Sequence, residues 1–222
     1  MSDSIKVKIV ETNLLKNKHP LWAKKIVRVA LWIAYSGYKT KGIENIPTKG
    51  PLIIASTHLS YLDPIILSAF IPRNLFYYAK KELFRNFLFS KLITRFGAIP
   101  IDREGFTRRS FQIGIRILKL KECIVIFPEG GILEERDKLI VKSGIGMIST
   151  LSNAPILPVS IKGSDTLFKL RSFFSDTTRL SLNFGKIINP KKIEFQSKNE
   201  YRKNITRIVK DAIEKLENEN IY

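Results

Sequence analysis

The sequence predicts an α/β protein, in which a single domain contains a mainly parallel sheet flanked by helices. Short apolar runs alternate with amphipathic segments of helical length, the pattern expected for a parallel sheet covered by helices. The chain has 222 residues, 44% of them apolar, which is enough for one sizeable core. No repeat, low-complexity tract or linker divides it.

The first predicted element is an amphipathic helix within residues 21–38. Its apolar residues recur at helical spacing, at Trp22, Ile26, Val29 and Ile33. Its uncharged part, residues 29–38, is half the roughly 20 residues needed to cross a bilayer, so we expect no membrane span. Two interpretations remain open: a helix in the membrane interface, with aromatic anchors and cations toward anionic lipid, or a helix packed on the domain. We divide the chain into a basic N-terminal segment, 1–42, and the main domain, 43–222.

The remaining elements follow in alternation. The strand at 51–56 is an apolar run bounded by Gly50, and the helix after it starts where Asp63 precedes Pro64. Apolar runs predict the other strands, and apolar spacing predicts the other helices. The predicted strands are 51–56, 74–80, 97–102, 123–131 (running into a loop), 154–161 and 180–188. The predicted helices are 63–70, 81–96, 107–121, 141–152 and a last helix with the apolar stripe Ile205, Ile208, Val209, Ala212, Ile213 and Leu216.

Charge and composition limit the function classes. The formal net charge is +18, which attracts nucleic acid, anionic lipid or an acidic protein. One cysteine, Cys123, excludes an intramolecular disulfide and suits a reducing cytoplasm. With only two histidines besides it, none close to another, we expect no metal site. We also expect no cofactor.

His58 and Asp63 are the first candidate site residues. They follow the strand at 51–56, and ligands of parallel sheets collect beyond the strand ends. A neutral imidazole accepts a proton near pH 7, and a carboxylate on its other nitrogen orients it and stabilises the imidazolium. Asp63 is alternatively a helix cap, a role that leaves His58 unexplained and does not exclude the first.

Three further tracts place polar residues after strands or a proline within one. Arg103, beside Asp102, is a phosphate ligand or a surface cation. Glu129 and Gly130 form a turn that binds an anion or polar ligand, or simply exposes an acid. Pro158 lies in an apolar run, where its missing N–H predicts a sheet edge or a bulge.

Together these tracts resemble the glycerolipid acyltransferase family, which includes bacterial lysophosphatidic acid acyltransferases. HLSYLD has the family's histidine, four-residue gap and aspartate, and GAIPIDR, FPEGG and LPVSI resemble its later blocks in the same order. The blocks run from about residue 56 to 161, nearly half of the chain. The resemblance implies that an acceptor hydroxyl attacks an acyl thioester directly, without an acyl-enzyme.

The resemblance also assigns roles to single residues. His58 is then the general base and Asp63 orients it. Residues that bind the acceptor are Gly97, Arg103, Glu129 and Gly130, with Arg103 on its phosphate, and Pro158 shapes the pocket wall. Acyl coenzyme A or acyl carrier protein is the donor, and 1-acyl-sn-glycerol 3-phosphate, giving phosphatidic acid, is the expected acceptor.

One block departs from the family. Where threonine and arginine usually follow the third block, this chain has Gly131 and Ile132, and a cation appears only at Arg136. Either the acceptor is another lysophospholipid or a glycolipid, or Lys142 supplies the missing charge.

The resemblance gives the composition a role. A lysolipid acceptor favours the interfacial interpretation of the N-terminal helix, and we expect a peripheral or monotopic protein on the cytoplasmic face of a membrane.

The main rival is a non-enzymatic basic protein that binds nucleic acid or anionic membrane. No nucleic-acid-binding signature is recognisable, so we expect no nucleic acid partner. A lipid hydrolase or transacylase is a second rival, whereas a serine hydrolase is disfavoured because no G-x-S-x-G element occurs.

Overall fold

A computed structural model describes residues 21–101, 107–130, 132, 144–166, 180–193 and 197–219. In this part of the chain, helices and strands alternate along most of the sequence. The strands are β1 (Tyr38–Lys41), β2 (Leu52–Ser56), β3 (Leu75–Lys80), β4 (Ala98–Ile101), β5 (Cys123–Ile126), β6 (Ile156–Lys162) and β7 (Leu180–Phe184). The α-helices are α1 (Leu21–Ala34), α2 (Asp63–Phe70), α3 (Phe87–Arg95), α4 (Arg108–Lys119), α5 (Gly144–Ser152) and α6 (Lys198–Asn218).

The described strands form one sheet in the order β1-β7-β6-β2-β5-β3-β4. All neighbours are parallel except β6 and β7. Leu52 of β2 and Leu75 of β3 both pair with Cys123 of β5, so these strands end at the same edge, here called the carboxyl edge. The opposite edge is the amino edge. The predicted fold class, a mainly parallel sheet flanked by helices, is confirmed.

Helices cover both faces of the sheet. Leu31 of α1, Ile66 of α2 and Ile93 of α3 belong to one buried cluster. Ile117 of α4 and Ile148 of α5 belong to a second cluster, together with Ile205, Val209 and Ile213 from the apolar stripe of α6. The interior strands are apolar on both faces because both are covered.

One predicted boundary and two predicted elements need correction. The division at residue 42 falls within the domain, because β1 pairs with β7 in the sheet. The predicted helix 81–96 is two pieces: a 3-10 helix at Lys81–Phe84, and then α3, which starts at 87 because the Asn86 side chain accepts a hydrogen bond from Phe89 N–H. The predicted strand 180–188 ends at Phe184, and Ile188 forms only an isolated bridge with Ile156.

Helix α1 packs on the domain with two of its three cations, Lys24 and Arg28, while Lys25 is exposed. The Lys24 ammonium is buried and donates to the carbonyl oxygens of Ile71 and Arg73 at 2.7 and 2.6 Å, just beyond the end of α2. The apolar residues instead face solvent: Trp22, Ile26, Val29, Trp32 and Ile33. The helix therefore packs on the domain and still offers an apolar face. Within the described residues, no helix combines the length and hydropathy that crossing a bilayer requires.

Candidate active site

His58 and Asp63 meet across the loop that joins β2 to α2. The His58 Nδ1 atom lies 3.0 Å from Asp63 Oδ2. The backbone N–H groups of Leu59 and Ser60 donate to the same oxygen, at 2.7 and 2.8 Å. The N-cap residue of α2 is Leu62, and its side chain makes no capping hydrogen bond. Asp63 therefore organises the loop before the helix and holds the imidazole at the same time.

The imidazole ring of His58 is held by a stacking contact as well as by its hydrogen bond. The rings of His58 and Phe127 stack with centroids 3.9 Å apart and planes inclined by 18°. The Asp63 side chain is fully buried, whereas that of His58 is 14% exposed. A carboxylate is only an acceptor, so Nδ1 carries the proton and Nε2 is the nitrogen that can accept one from a ligand.

Thr57 fixes the start of this loop. Its backbone N–H donates to the carbonyl oxygen of Val159 at 3.2 Å. Its Oγ1 accepts a hydrogen bond from Ile161 N–H at 2.9 Å and lies 3.3 Å from the Ile161 carbonyl oxygen. These contacts extend the β2–β6 pairing by one residue, so His58 leaves the sheet from a rigid position.

Glu129 lies in a turn at the same edge, after the neighbouring strand β5. The turn is closed by a hydrogen bond from Gly130 N–H to the Phe127 carbonyl oxygen at 3.1 Å, and Gly130 has a φ of +76°, which favours glycine. The Glu129 side chain is only 9% exposed, and among the described residues neither of its carboxyl oxygens finds a hydrogen-bond partner.

Burial raises the pKa of Glu129 from 4.5 to about 7, and the charges of Glu217 and Asp63 act in the same direction. The nearby backbone N–H groups of Glu129 and His58 lower the pKa of this carboxyl, although neither makes a hydrogen bond to it. Near neutral pH this group is therefore close to half protonated and can donate or accept a hydrogen bond. Asp63 Oδ1 is likewise buried without a partner among the described residues.

The structure does not bring Gly97 to this site. Gly97 precedes β4, at the amino edge, and the four residues of β4 separate it from the carboxyl edge by roughly 13 Å. Its φ of +86° and its hydrogen bond to the Thr94 carbonyl oxygen show a turn residue between α3 and β4. The acceptor-binding role expected for Gly97 therefore has no geometric support.

Pro158 lies in an interior strand and not in an edge strand, because β6 lies between β2 and β7. Val159 pairs with Phe184, but Ile156 pairs with Ile188, so one strand has an extra residue and the ladder is interrupted beside Pro158. Of the two predicted settings for Pro158, the bulge is present and the edge strand is wrong. The ring lies near Gly185 and Leu216, beneath α6.

Arg103 and Lys142 lie outside the described residues, as do Asp102, Gly131 and Arg136. Their assigned roles remain predictions. Phe127 is a site residue that the sequence motifs did not indicate. Its one signal in the sequence is an aromatic residue at the end of the β5 run, directly before the turn that carries Glu129.

The geometry defines a class: an α/β protein with a carboxylate-held imidazole and a protonatable acid at the carboxyl edge of its sheet. The family model described as Acyltransferase matches residues 37–162, more than half of the chain, so the chain belongs to the acyltransferase family and is an O-acyltransferase. The resemblance inferred from the sequence motifs is confirmed.

Curated relatives and a solved structure agree with this assignment. The chain is 33% identical over 137 residues to a 1-acyl-sn-glycerol-3-phosphate acyltransferase of Bacillus subtilis (strain 168), covering 60% of this chain and 68% of that protein. It is 30% identical to the enzyme of that name from Streptococcus pneumoniae, covering 76% of this chain and 62% of that one. Its fold is similar to the crystal structure of the 1-acyl-sn-glycerophosphate acyltransferase PlsC from Thermotoga maritima, with a TM-score of 0.66, 26% identity and coverage of 88% and 79%.

Proposed function

We propose that this protein transfers a fatty acyl group from a thioester to the free hydroxyl of 1-acyl-sn-glycerol 3-phosphate, giving phosphatidic acid. The observation that carries the proposal is the 3.0 Å contact between His58 Nδ1 and the buried Asp63, which leaves Nε2 for a substrate proton. The names of the relatives supply the acceptor.

In the proposed reaction His58 Nε2 takes the proton of the acceptor hydroxyl as its oxygen attacks the thioester carbonyl carbon. Asp63 stabilises the imidazolium that forms. The tetrahedral intermediate then collapses, the C–S bond breaks, and the proton passes from His58 to the leaving thiolate. No acyl-enzyme is required, and among the described residues no serine, threonine or cysteine side chain is hydrogen-bonded to His58.

Glu129 is the proposed acceptor ligand. Its carboxyl is buried at the same edge as His58, and its oxygens are without partners in the described part of the chain. Near neutral pH it can accept from a glycerol hydroxyl or donate to a phosphate oxygen. Arg103 is the proposed phosphate ligand on the strength of the motif, and Lys142 is the candidate for a second cation.

We also propose that the protein works on the cytoplasmic face of a membrane, as a peripheral or monotopic protein. The acceptor is a membrane lipid, and the exposed apolar face of α1 offers a contact with it. The donor is either acyl coenzyme A or acyl carrier protein, and both carry negative charge that the basic surface attracts.

A second acceptor is favoured by one feature of the sequence. Gly131 and Ile132 stand where the family usually has threonine and arginine, so a cation is missing from the acceptor block. A lysophospholipid with a larger headgroup, or a glycolipid, is the alternative substrate.

The test is a transfer assay with purified protein and vesicles that contain one lysolipid at a time. Thiol release and lipid product are followed with acyl coenzyme A and with acyl carrier protein thioesters, and a mock purification controls for host enzymes. We expect the highest kcat/KM with lysophosphatidic acid. A preference for another lysolipid would replace the acceptor, and absence of transfer to every acceptor would contradict the proposal.

A further inference from the structure

Helix α3 exposes apolar side chains that a soluble domain ordinarily buries. Phe87 and Leu88 are each 76% exposed, and Phe89 and Leu92 are exposed as well. Ile93 alone in this helix is buried. An apolar patch of this kind on a surface helix marks an interaction site.

The patch begins at the same edge as His58. Strand β3 ends at the carboxyl edge, and α3 starts a few residues later and runs back to the start of β4. Phe87 and Leu88 therefore lie at the carboxyl-edge end of the helix. Tyr61, in the loop between His58 and Asp63, is 64% exposed at this edge.

The patch is also on the same face of the sheet as α1. Ile93 of α3 shares a core cluster with Leu31 of α1 and with Tyr35, the residue that follows α1, and α2 packs in the same layer. The end of α1 reaches the carboxyl edge, because Tyr35 Oη donates to the carbonyl oxygen of Ser164, two residues after β6. The exposed Trp32 near the end of α1 and the patch at the start of α3 thus lie toward the carboxyl edge, where the His58 loop is, on two helices of one layer.

The charges around the patch match an anionic lipid surface. Arg85, Lys91 and Arg95 are exposed, and residues 83–101 contain no aspartate or glutamate. Large apolar side chains flanked by cations are the composition of a helix that lies in the membrane interface, with its apolar residues among acyl chains and its cations at the headgroups.

We propose that α3 is a second lipid-binding surface, separate from the N-terminal helix, and that it seats on a bilayer containing anionic lipid. With α1 and Tyr61 it turns the carboxyl edge toward the membrane, so that an acceptor can reach His58 from the lipid phase. This consequence for catalysis rests on the proposed function, whereas the lipid contact itself does not.

The experiment uses the full chain with a thiol-reactive, environment-sensitive dye at Leu88→Cys and, as matched control, at Leu151→Cys. Leu151 is a leucine of α5 that is 53% exposed, and α5 covers the other face of the sheet. Cys123 is buried and does not label. On phosphatidylcholine vesicles with phosphatidylglycerol we expect a blue shift at position 88 and little change at 151. Equal responses at both positions would overturn the proposal.

A double variant, Phe87→Ser with Leu88→Ser, gives a second readout. Since it changes exposed positions only, we expect a native circular dichroism spectrum and vesicle binding at least about tenfold weaker than for Leu151→Ser. Three results would overturn the proposal: unchanged vesicle binding, a change in sedimentation that makes α3 an interface between two copies, or normal vesicle binding with loss of activity only toward acyl carrier protein.

The two proposals fail separately. A blue shift at position 88 in a protein that transfers no acyl group would overturn the proposed function alone. Acyl transfer without the blue shift would overturn the lipid surface on α3 alone.

Discussion

The two edges of the sheet both bury charged side chains, but they satisfy them differently. At the amino edge, Lys24 donates to two carbonyl oxygens. Arg73 donates to the carbonyl oxygens of Pro47, Gly50 and Lys121. At the carboxyl edge, the carboxyl oxygens of Glu129 lie buried without partners in the described part of the chain.

This difference separates structural groups from candidate ligand-binding groups. A cavity of about 530 Å³ opens at the amino edge, beside Lys24, Lys49, Arg73 and Lys121. The cavity is basic, but the donors of Lys24 and Arg73 already bind carbonyl oxygens just after α2 and just before β2, β3 and β5. A buried polar group without a partner costs free energy. The unpartnered carboxyl of Glu129 is therefore a candidate to bind a ligand. Four substitutions test this comparison, from the largest expected effect to the smallest.

Asp63→Asn should have the largest effect, because one carboxylate oxygen serves both His58 and the loop amides. An amide in its place no longer stabilises the imidazolium, so we expect kcat to fall by about 10²–10⁴-fold. Urea unfolding should show a loss of about 1–3 kcal/mol, since hydrogen bonds to a charged group are weakened. A kcat within tenfold of wild type would contradict a catalytic role for Asp63 and His58 at the carboxyl edge.

Glu129→Gln should reduce kcat/KM for the acceptor by about 10–100-fold, the effect of one hydrogen bond to a charged group. It should also change the pH dependence of stability. The native carboxyl, with its pKa of about 7, keeps its proton over a range where the unfolded one, near 4.5, has lost it. The wild-type free energy of unfolding should therefore fall as pH rises between these values, by at most roughly 3 kcal/mol. The variant lacks this contribution, and parallel pH profiles of the two proteins would contradict the assignment.

Lys24→Met probes the amino edge. It removes two donors from buried carbonyl oxygens, which should lower the free energy of unfolding by about 1–3 kcal/mol. The loss is limited because burial lowers the pKa of Lys24 to about 8, so the ammonium is already held at a cost. We expect kcat to stay within twofold of wild type. A tenfold fall in kcat with unchanged stability would mean that this edge takes part in catalysis.

Pro158→Ala should have the smallest effect. The ring lies beneath α6, near Gly185 and Leu216, and its missing N–H falls where the β6–β7 ladder is interrupted. We expect stability to change by no more than about 1 kcal/mol, mainly through the less restricted unfolded chain. KM for the acceptor should not change. An altered preference for the acceptor or for acyl-chain length would instead support the pocket-wall role that the motif implies.

The sequence predicted what depends on local patterns. The start of α2 at Asp63, before Pro64, was placed correctly, and so were the positions of most strands. Strand β1 was missed because YKTK is short and alternates half-buried with exposed residues, and its partner β7 is about 140 residues away in the chain.

The features that the sequence left open, missed or misplaced are those set by distant contacts. The apolar periodicity of α1 was recognised, but the face that packs on the domain was left open, because it is decided by Lys24 and Arg28, which bind carbonyl oxygens near the end of α2. The stacking of Phe127 on His58 requires β2 and β5 to be neighbours, which no local pattern shows. Gly97 was placed with the site because it belongs to the same motif as Arg103, although β4 separates the two ends of that motif.

The most direct test of the account measures the acyl-transfer rate and the unfolding free energy of His58→Ala beside wild type. We predict a kcat with lysophosphatidic acid that is about 10²–10⁴-fold lower, the usual contribution of a general base. Stability should change by less than about 1 kcal/mol, because Asp63 keeps its hydrogen bonds from Leu59 and Ser60. A folded variant that transfers acyl groups at the wild-type rate would contradict the account, and the carboxyl edge would then be scaffold like the amino edge.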